Sequence, residues 1–361
     1  MPELQEIILW LLAVFMVIGA VDKVLGNRYG YGEAFERGFA SIGPIAVVMI
    51  GMISLAPVLA EILRPAVVPI FRFLGADPAM FATSVLALDM GGYALAGELA
   101  ETEESAKFAG ILLGTMLGPA LTFTIPVALT IINKEDQQAM AKGMLAGIAT
   151  IPIGLLIGGA AAGFSLQHML ADLVPIILFS LLIVIGLWRK PTIMVSGFQR
   201  FGKAVVAFTT LATAIVIIEA LTGWALIPGM NPSEEGLLVV GSIAFILAGA
   251  FPLVQFVKYH WNGQSLRLGE RFHMNEPALS GWVSSFAHVI PMFALVEEMK
   301  EEGKVMNFAF TVSGAFILGG HLAFTAAVDK NMIVPMLLGK FSGGISAMAV
   351  AYWMIKKEKT P

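Results

Sequence analysis

Hydrophobic residues run along this chain in long blocks separated by short polar clusters, and the block lengths set the first expectation. A helix that crosses a bilayer needs ~20 largely apolar residues. By that measure nine crossings are predicted: Ile7 to Leu25, Gly38 to Ala60, Phe108 to Asn133, Gly143 to Gly163, Leu173 to Trp188, Ala204 to Trp224, Gly236 to Val257, Val305 to Val328 and Met332 to Ile355. Two stretches, Glu61 to Gly75 and Tyr259 to Phe272, are too short and too charged to cross. Their Arg64, Arg72, Arg267 and Arg271 suit helices lying at the interface. Each precedes a broken segment, Asp77 to Glu101 or Glu276 to Glu301, that reads as a discontinuous span or as a re-entrant hairpin returning to its own side. The N-terminus lacks a basic region and a small-residue cleavage site, so it reads as the first membrane helix and not as a removable signal.

Compared with itself, the chain repeats at an offset of about 200 residues. Gly38 matches Gly236, Pro78 matches Pro277, Asp89 falls opposite His288, and Phe108-Ala109 matches Phe308-Ala309. Downstream, Gly114 pairs with Gly314, Thr124 with Thr325, Asn133-Lys134 with Asp329-Lys330, and Lys142 with Lys340. A first repeat over residues 1–165, a connector over 166–190 and a second repeat over 191–361 follow. The expected fold is an all-α polytopic membrane protein of about nine to eleven transmembrane helices in two repeats, each with a broken or re-entrant helix. If the broken segments are hairpins, the second repeat is inverted. Arg189-Lys190, Arg200-Lys203 and the C-terminal KKEK then share the cytoplasmic side, which favours hairpins by the positive-inside rule, whereas Arg64 and Arg72 count against them.

Composition changes this picture little. With 57% hydrophobic and 13% charged residues and a mean hydropathy of +0.82, the chain cannot cover a soluble globule. A net charge of −4 gives no reason to expect nucleic acid. The absence of cysteine excludes disulfides, thiolate metal sites and cysteine nucleophiles. No nucleotide-binding loop, zinc-ligand helix or intramembrane protease dyad is present, so an enzyme is not expected, nor is a metal or other cofactor.

The candidate chemistry lies in the broken segments. A carboxylate at mid-membrane costs ~2.5 to 3.5 kcal/mol on insertion scales and is seldom kept without a partner or a wet cavity. Asp89 is expected to close a half-helix that starts at Pro78, just before Gly91 and Gly92, so that the helix's negative end and the acid together favour a cation. The plainer reading is a polar residue bonded to nearby backbone in a kinked helix. His288 is placed to bond a substrate, pair with Asp89 or relay a proton, or to be a satisfied core histidine. His321 is a weaker candidate. Tyr93 and Trp282 offer faces to an ammonium, although membrane aromatics usually pack. Glu98 reads chiefly as a charged helix end, and Lys142 and Lys340 as snorkelling or as pairing with helix-end acids. Gly110, Gly114 and Gly118, like Gly143 and Gly147, mark small faces for close helix packing.

The stretches GMISLAPVLAEILRPAVVPIFRFLGADPAMFATSVLALDMGGYALAGELA, GTMLGPALTFTIPVAL, LAGIATIPIGLLIGG and GKFSGGISA resemble the ethanolamine utilization transporter family, EutH, and the likeness extends over essentially the whole chain. DMGG at Asp89 to Gly92 and the LGADPAMFA before it are the most specific. The resemblance implies a bacterial inner-membrane transporter that brings ethanolamine into the cell as a carbon and nitrogen source. Asp89 then suits the ammonium of ethanolamine, and hydroxyls such as Thr83, Ser84 or Ser285 suit its alcohol. The residues alone point only to a small cation or polar solute, carried by alternating access at the repeat interface. A cation channel or ammonium facilitator and a substrate-sensing scaffold remain alternatives, and the choice between monomer and homo-oligomer, like ion coupling, is open.

Overall fold

The computed structural model describes residues 3–261 and 274–359, and every regular element among them is helical. Chain order gives α1 (Leu4–Val24), α2 (Tyr31–Ala40) and α3 (Ile42–Phe73). The short α4 (Ala79–Val85) and α5 (Gly92–Leu99) follow, then α6 (Glu103–Ile131), α7 (Gln137–Ala161), α8 (Leu166–Arg189), α9 (Pro191–Thr222) and α10 (Ser233–Trp261). The last part comprises α11 (Glu276–Ser285), α12 (Val289–Ala294), α13 (Glu301–Gly314), α14 (Gly320–Val328) and α15 (Ile333–Lys359). Eight stretches among the described residues are long and apolar enough to cross a membrane, and α2 with α3 forms one of them.

Two expectations are corrected. The charged stretch Glu61 to Gly75 is not a separate interfacial helix but the end of α3, which continues through Pro57, Pro65 and Pro69. It stays helical because its cations have work at the hairpin base: Arg64 bonds the Glu98 carbonyl, and Arg72 pairs with Glu101 at 2.6 Å. In the corresponding stretch of the second half, Arg267 and Arg271 lie outside the described residues. The span expected over Val305 to Val328 is two helices, with Ala315 to Gly319 unwound between α13 and α14. Phe316 there is held in the left-handed region at φ 61°, a conformation that costs a bulky residue energy and needs outside support. The support is the second broken segment: Phe316 N–H donates to Ser285 O at 2.9 Å and Leu318 N–H to Phe286 O at 2.8 Å. Helix α6, in the matching place, is not cut but irregularly wound, with wide turns at Phe108–Leu112 and Ala120–Thr124 around a tight one at Leu113–Thr115.

Both broken segments turn back on themselves. Asp77 Oδ2, at the start of the first, accepts from the amide of Glu101 at its end, 3.0 Å away. In the second, Asn275 Oδ1 accepts from Lys300 N–H at 3.1 Å and Asn275 Nδ2 donates to Glu298 O at 2.7 Å. Each hairpin is thus clasped at its base by one polar side chain. The bases lie at opposite ends of α6. Asp172 accepts from both Asp77 N–H and Ser105 Oγ–H, which ties the first base to the start of α6. Asn133 reaches Glu297, and Asp136 pairs with Lys304 at 2.5 Å, which ties the second base to its far end. Lys107, at the start of α6, meets Asp329 just past α14 at 3.0 Å. The two reciprocal ion pairs make α6 and the α13–α14 pair antiparallel.

Two packed groups result. Helix α10 lies against α1, α2 and α3, with α9 on α3; α7, α13 and α15 pack on one another. The second group is drawn tight by small residues: a Cβ on Gly154 would lie 2.7 Å from Gly339 O, and one on Gly147 2.4 Å from Val312.

Candidate functional site

The first hairpin tip is an interrupted helix. After Val85 the chain is extended through Leu86 and Ala87, makes one tight turn over Leu88–Met90, passes Gly91 at φ 93° and re-enters a helix at Gly92. Asp89 therefore sits on the short turn leading into the N-terminus of α5, not at the C-terminus of a half-helix. The extended pair Leu86-Ala87 separates it from α4, so any attraction for a cation comes from the carboxylate without help from a helix's negative end. A left-handed residue is needed at Gly91, and a Cβ there would also lie 2.4 Å from the Met52 side chain.

The second tip repeats the device with other side chains. His288 is extended and caps α12, its Nδ1 accepting from Ile290 N–H at 3.2 Å. A neutral ring so engaged carries its proton on Nε2. Each tip lies on a glycine of the opposing broken or irregular helix. A Cβ on Gly118 would stand 2.1 Å from Leu86 O, and one on Gly319 2.2 Å from Ala287 O. Counted from these tip carbonyls, His288 follows Ala287 directly, whereas Asp89 lies three residues past Leu86.

Both tips open onto one cavity of about 640 Å³. Asp89, His288 and His321 supply its ionisable groups. Phe123 and Phe316 stand edge-on to the His288 ring, at centroid distances of 5.7 and 5.0 Å, and Phe316 is 5.0 Å from His321. The opposite wall comes from the other helix group, with Ser41 and Val47 from the start of α3, Thr210 from α9 and Phe251 from α10. The cavity thus lies between the α3, α9 and α10 wall on one side and the two hairpin tips with α6 and α14 on the other, and takes residues from both halves of the chain. Asp89 is half-buried and makes no ion pair among the described residues. A lone carboxylate beside aromatic edges and faces can hold one small organic cation by charge and by cation–π contact.

Other residues singled out in the sequence have internal partners. Thr83 donates to Ala109 O, Ser84 to Met80 O and Ser285 to Trp282 O. Their hydroxyls are engaged by backbone and lie off the cavity lining. Tyr93 packs edge-on against Phe324, and Trp282 against Phe286 and Phe310. Glu98 lies at the hairpin base beside Arg64, far along α5 from the tip. Gly91 and Gly92 shape the tip backbone and are not among the residues that line this cavity. The aromatic walls Phe123, Phe251 and Phe316 were not singled out in the sequence, where single phenylalanines in apolar runs carry no mark. The Gly319-Gly320 pair was the available signal for the break beside Phe316. Among the described residues no group of three or more His, Asp or Glu side chains is disposed to hold a metal ion.

A family described as "Ethanolamine utilisation protein, EutH" matches residues 4–354. The chain is 51% identical over 355 residues to the probable ethanolamine permease EutH of Listeria monocytogenes, covering 98% of this chain and 95% of that protein. It is 49% identical to the uncharacterized protein YxeR of Bacillus subtilis, over 97% and 95% of the two chains. It is 40% identical to the probable ethanolamine permease EutH of Escherichia coli, over 98% and 96%. No solved structure matches.

Proposed function

This chain belongs to the EutH family and is a multi-pass bacterial membrane protein, and from that premise we propose that it carries protonated ethanolamine across the membrane as a secondary carrier. The observation that carries this reading is the cavity where two hairpin tips, based at opposite ends of α6, place one carboxylate and one imidazole opposite the wall of α3, α9 and α10. Asp89 takes the ammonium, the rings of Phe123 and Phe316 border its methylenes, and His288 Nε2–H is the donor for the alcohol oxygen. The cavity is several times the size of a two-carbon amino alcohol, so water accompanies the substrate.

Alternating access follows from movement of the hairpin group, with α7, α13 and α15, against the group of α1, α2, α3, α9 and α10. The antiparallel run of α6 and α13–α14 and the matched tip-to-glycine contacts support two inverted repeats as the source of this symmetry. The names of the Listeria and Escherichia relatives support ethanolamine as the solute.

The test is labelled ethanolamine flux in liposomes loaded with unlabelled ethanolamine. A carrier is stimulated by substrate on the far side, whereas a channel is not. Unstimulated flux would exclude the carrier mechanism, and undiminished flux in Asp89→Asn would exclude the counter-ion.

A further inference from the structure

Lys340 is the one lysine among the described residues with no exposed surface. The sequence suggested that it snorkels or meets a helix-end acid, as Lys142 does with Glu358 at 2.7 Å. Instead it points inward from a position two turns into α15 and donates to Thr115 O at 2.6 Å, within the tight turn where α6 loses its regular winding. An ammonium has three donors, and no carboxylate among the described residues pairs with this one. The charged groups of the elements packed on α15 lie at or near helix ends: Glu103, Glu104 and Lys107 on α6, Lys142 on α7, Glu301, Glu302 and Lys304 on α13, Asp329 and Lys330 past α14, and Glu6, Asp22 and Lys23 on α1.

The exception is His321, which lies within α14, the helix that leads into α15 through the turn Lys330–Met332 and packs against it. His321 is 4% exposed, lines the substrate cavity, and leaves Nδ1 buried without a hydrogen-bond partner in the protein. Nearby polar atoms are also unpartnered. Ser313 Oγ, against which Gly343 packs one turn along α15 from Lys340, and Thr325 Oγ1, one turn along α14 from His321, are both buried with none. One helix of this packed pair thus carries an isolated interior ammonium and the other a histidine that opens on the cavity, two groups able to hand on a proton.

We propose that Lys340 gains and loses a proton during each transport cycle, exchanging it with the cavity through His321, and that its charge holds the irregular turn of α6 at Thr115. This deepens the carrier reading and rests on it. In the outward step the proton leaves Nζ for one ring nitrogen of His321, and the other ring nitrogen releases a proton to cavity water. A neutral amine remains at Lys340. Arrival of the substrate ammonium in the cavity favours that release, because it adds a second positive charge to an interior of low dielectric.

Two signals are read together in proteoliposomes: labelled ethanolamine flux, and proton movement by a pH-indicating dye. The wild type is expected to move protons with ethanolamine. Lys340→Met, which is never charged, and Lys340→Arg, which is never neutral, are expected to lose at least tenfold of the proton signal per ethanolamine while tracer exchange persists. Tracer flux without proton movement in the wild type overturns this inference and leaves the carrier reading intact; absence of tracer flux overturns both. An unchanged proton-to-ethanolamine ratio in either variant also overturns it, so the test survives if one of them fails to fold.

Discussion

The two hairpins use one backbone solution and carry different chemistry. Each is clasped at its base by a single polar side chain, Asp77 in the first and Asn275 in the second, and each presses a tip carbonyl against a glycine, Gly118 or Gly319. The first then makes an extra tight turn that brings a carboxylate into the cavity, whereas the second enters its helix directly with an imidazole as cap. Their partners differ as well. Helix α6 bends through wide turns to accommodate the first tip, but the second tip rests on a true break, whose freed amides at Phe316 and Leu318 bond the hairpin's own carbonyls. Shared backbone contacts and unshared side chains suggest that tip geometry serves both access routes, while charge recognition belongs to the first hairpin.

Substitutions can break that division of labour. The largest effect is expected from Asp89→Asn, which removes a charged hydrogen bond worth about 1.5–3 kcal/mol and so lowers ethanolamine flux at low substrate by about 10- to 100-fold. His288→Gln keeps a donor, and His288→Ala removes it. Loss of one neutral hydrogen bond predicts a drop of about 2- to 10-fold for alanine and less for glutamine. If the two hairpins prove equal in this comparison, charge recognition does not belong to the first.

The shared contacts make a second comparison. Gly118→Ala and Gly319→Ala each place a methyl inside contact distance of a hairpin carbonyl, and overpacking of this kind costs about 1–3 kcal/mol. Thermal unfolding in detergent is expected to show both destabilised, Gly319→Ala the more, because its break has bonds to the hairpin that would be strained together with it. Equal melting of wild type and both variants would show that the tips are loosely held. The smallest effect belongs to the clasp. Asn275→Ala loses two hydrogen bonds at a half-buried site, about 1 kcal/mol net after water replaces part of them. Amide hydrogen exchange at Lys300 is expected to speed up accordingly, with no matching change at Glu101.

How far these features are legible in the sequence depends on whether their cause is local. Asp89 beside Gly91-Gly92 is a local cause, and it marks the first tip. Glycine rows are also legible: Gly110, Gly114 and Gly118 do receive the first hairpin, through Tyr93, Leu88 and Leu86. What escapes is set by distant partners. The unwound Ala315 to Gly319 lies in an apolar run and is held open by carbonyls of the second hairpin, far away in the chain. The continuous α3 looks like two elements because its charged end is stabilised by groups on α5 and beyond. Lys340 resembles a snorkelling lysine until the disturbed turn at Thr115 provides its acceptor. The offset between Asp89 and His288 is hidden too, since matching prolines fix where the hairpins begin but not how many residues each spends before its tip.

The placement of the hairpin bases has a pharmacological consequence. The first is rooted beside Glu101 and Ser105 and the second beside Asn133 and Lys300, at opposite ends of α6, a helix long and apolar enough to cross a bilayer. A reagent confined to one aqueous compartment, such as an antibody fragment or an impermeant inhibitor, meets the root of one hairpin only. With α6 spanning the bilayer, blockade of the carrier proposed above is sided, and two inhibitors given from opposite compartments would act on separate targets within a single chain.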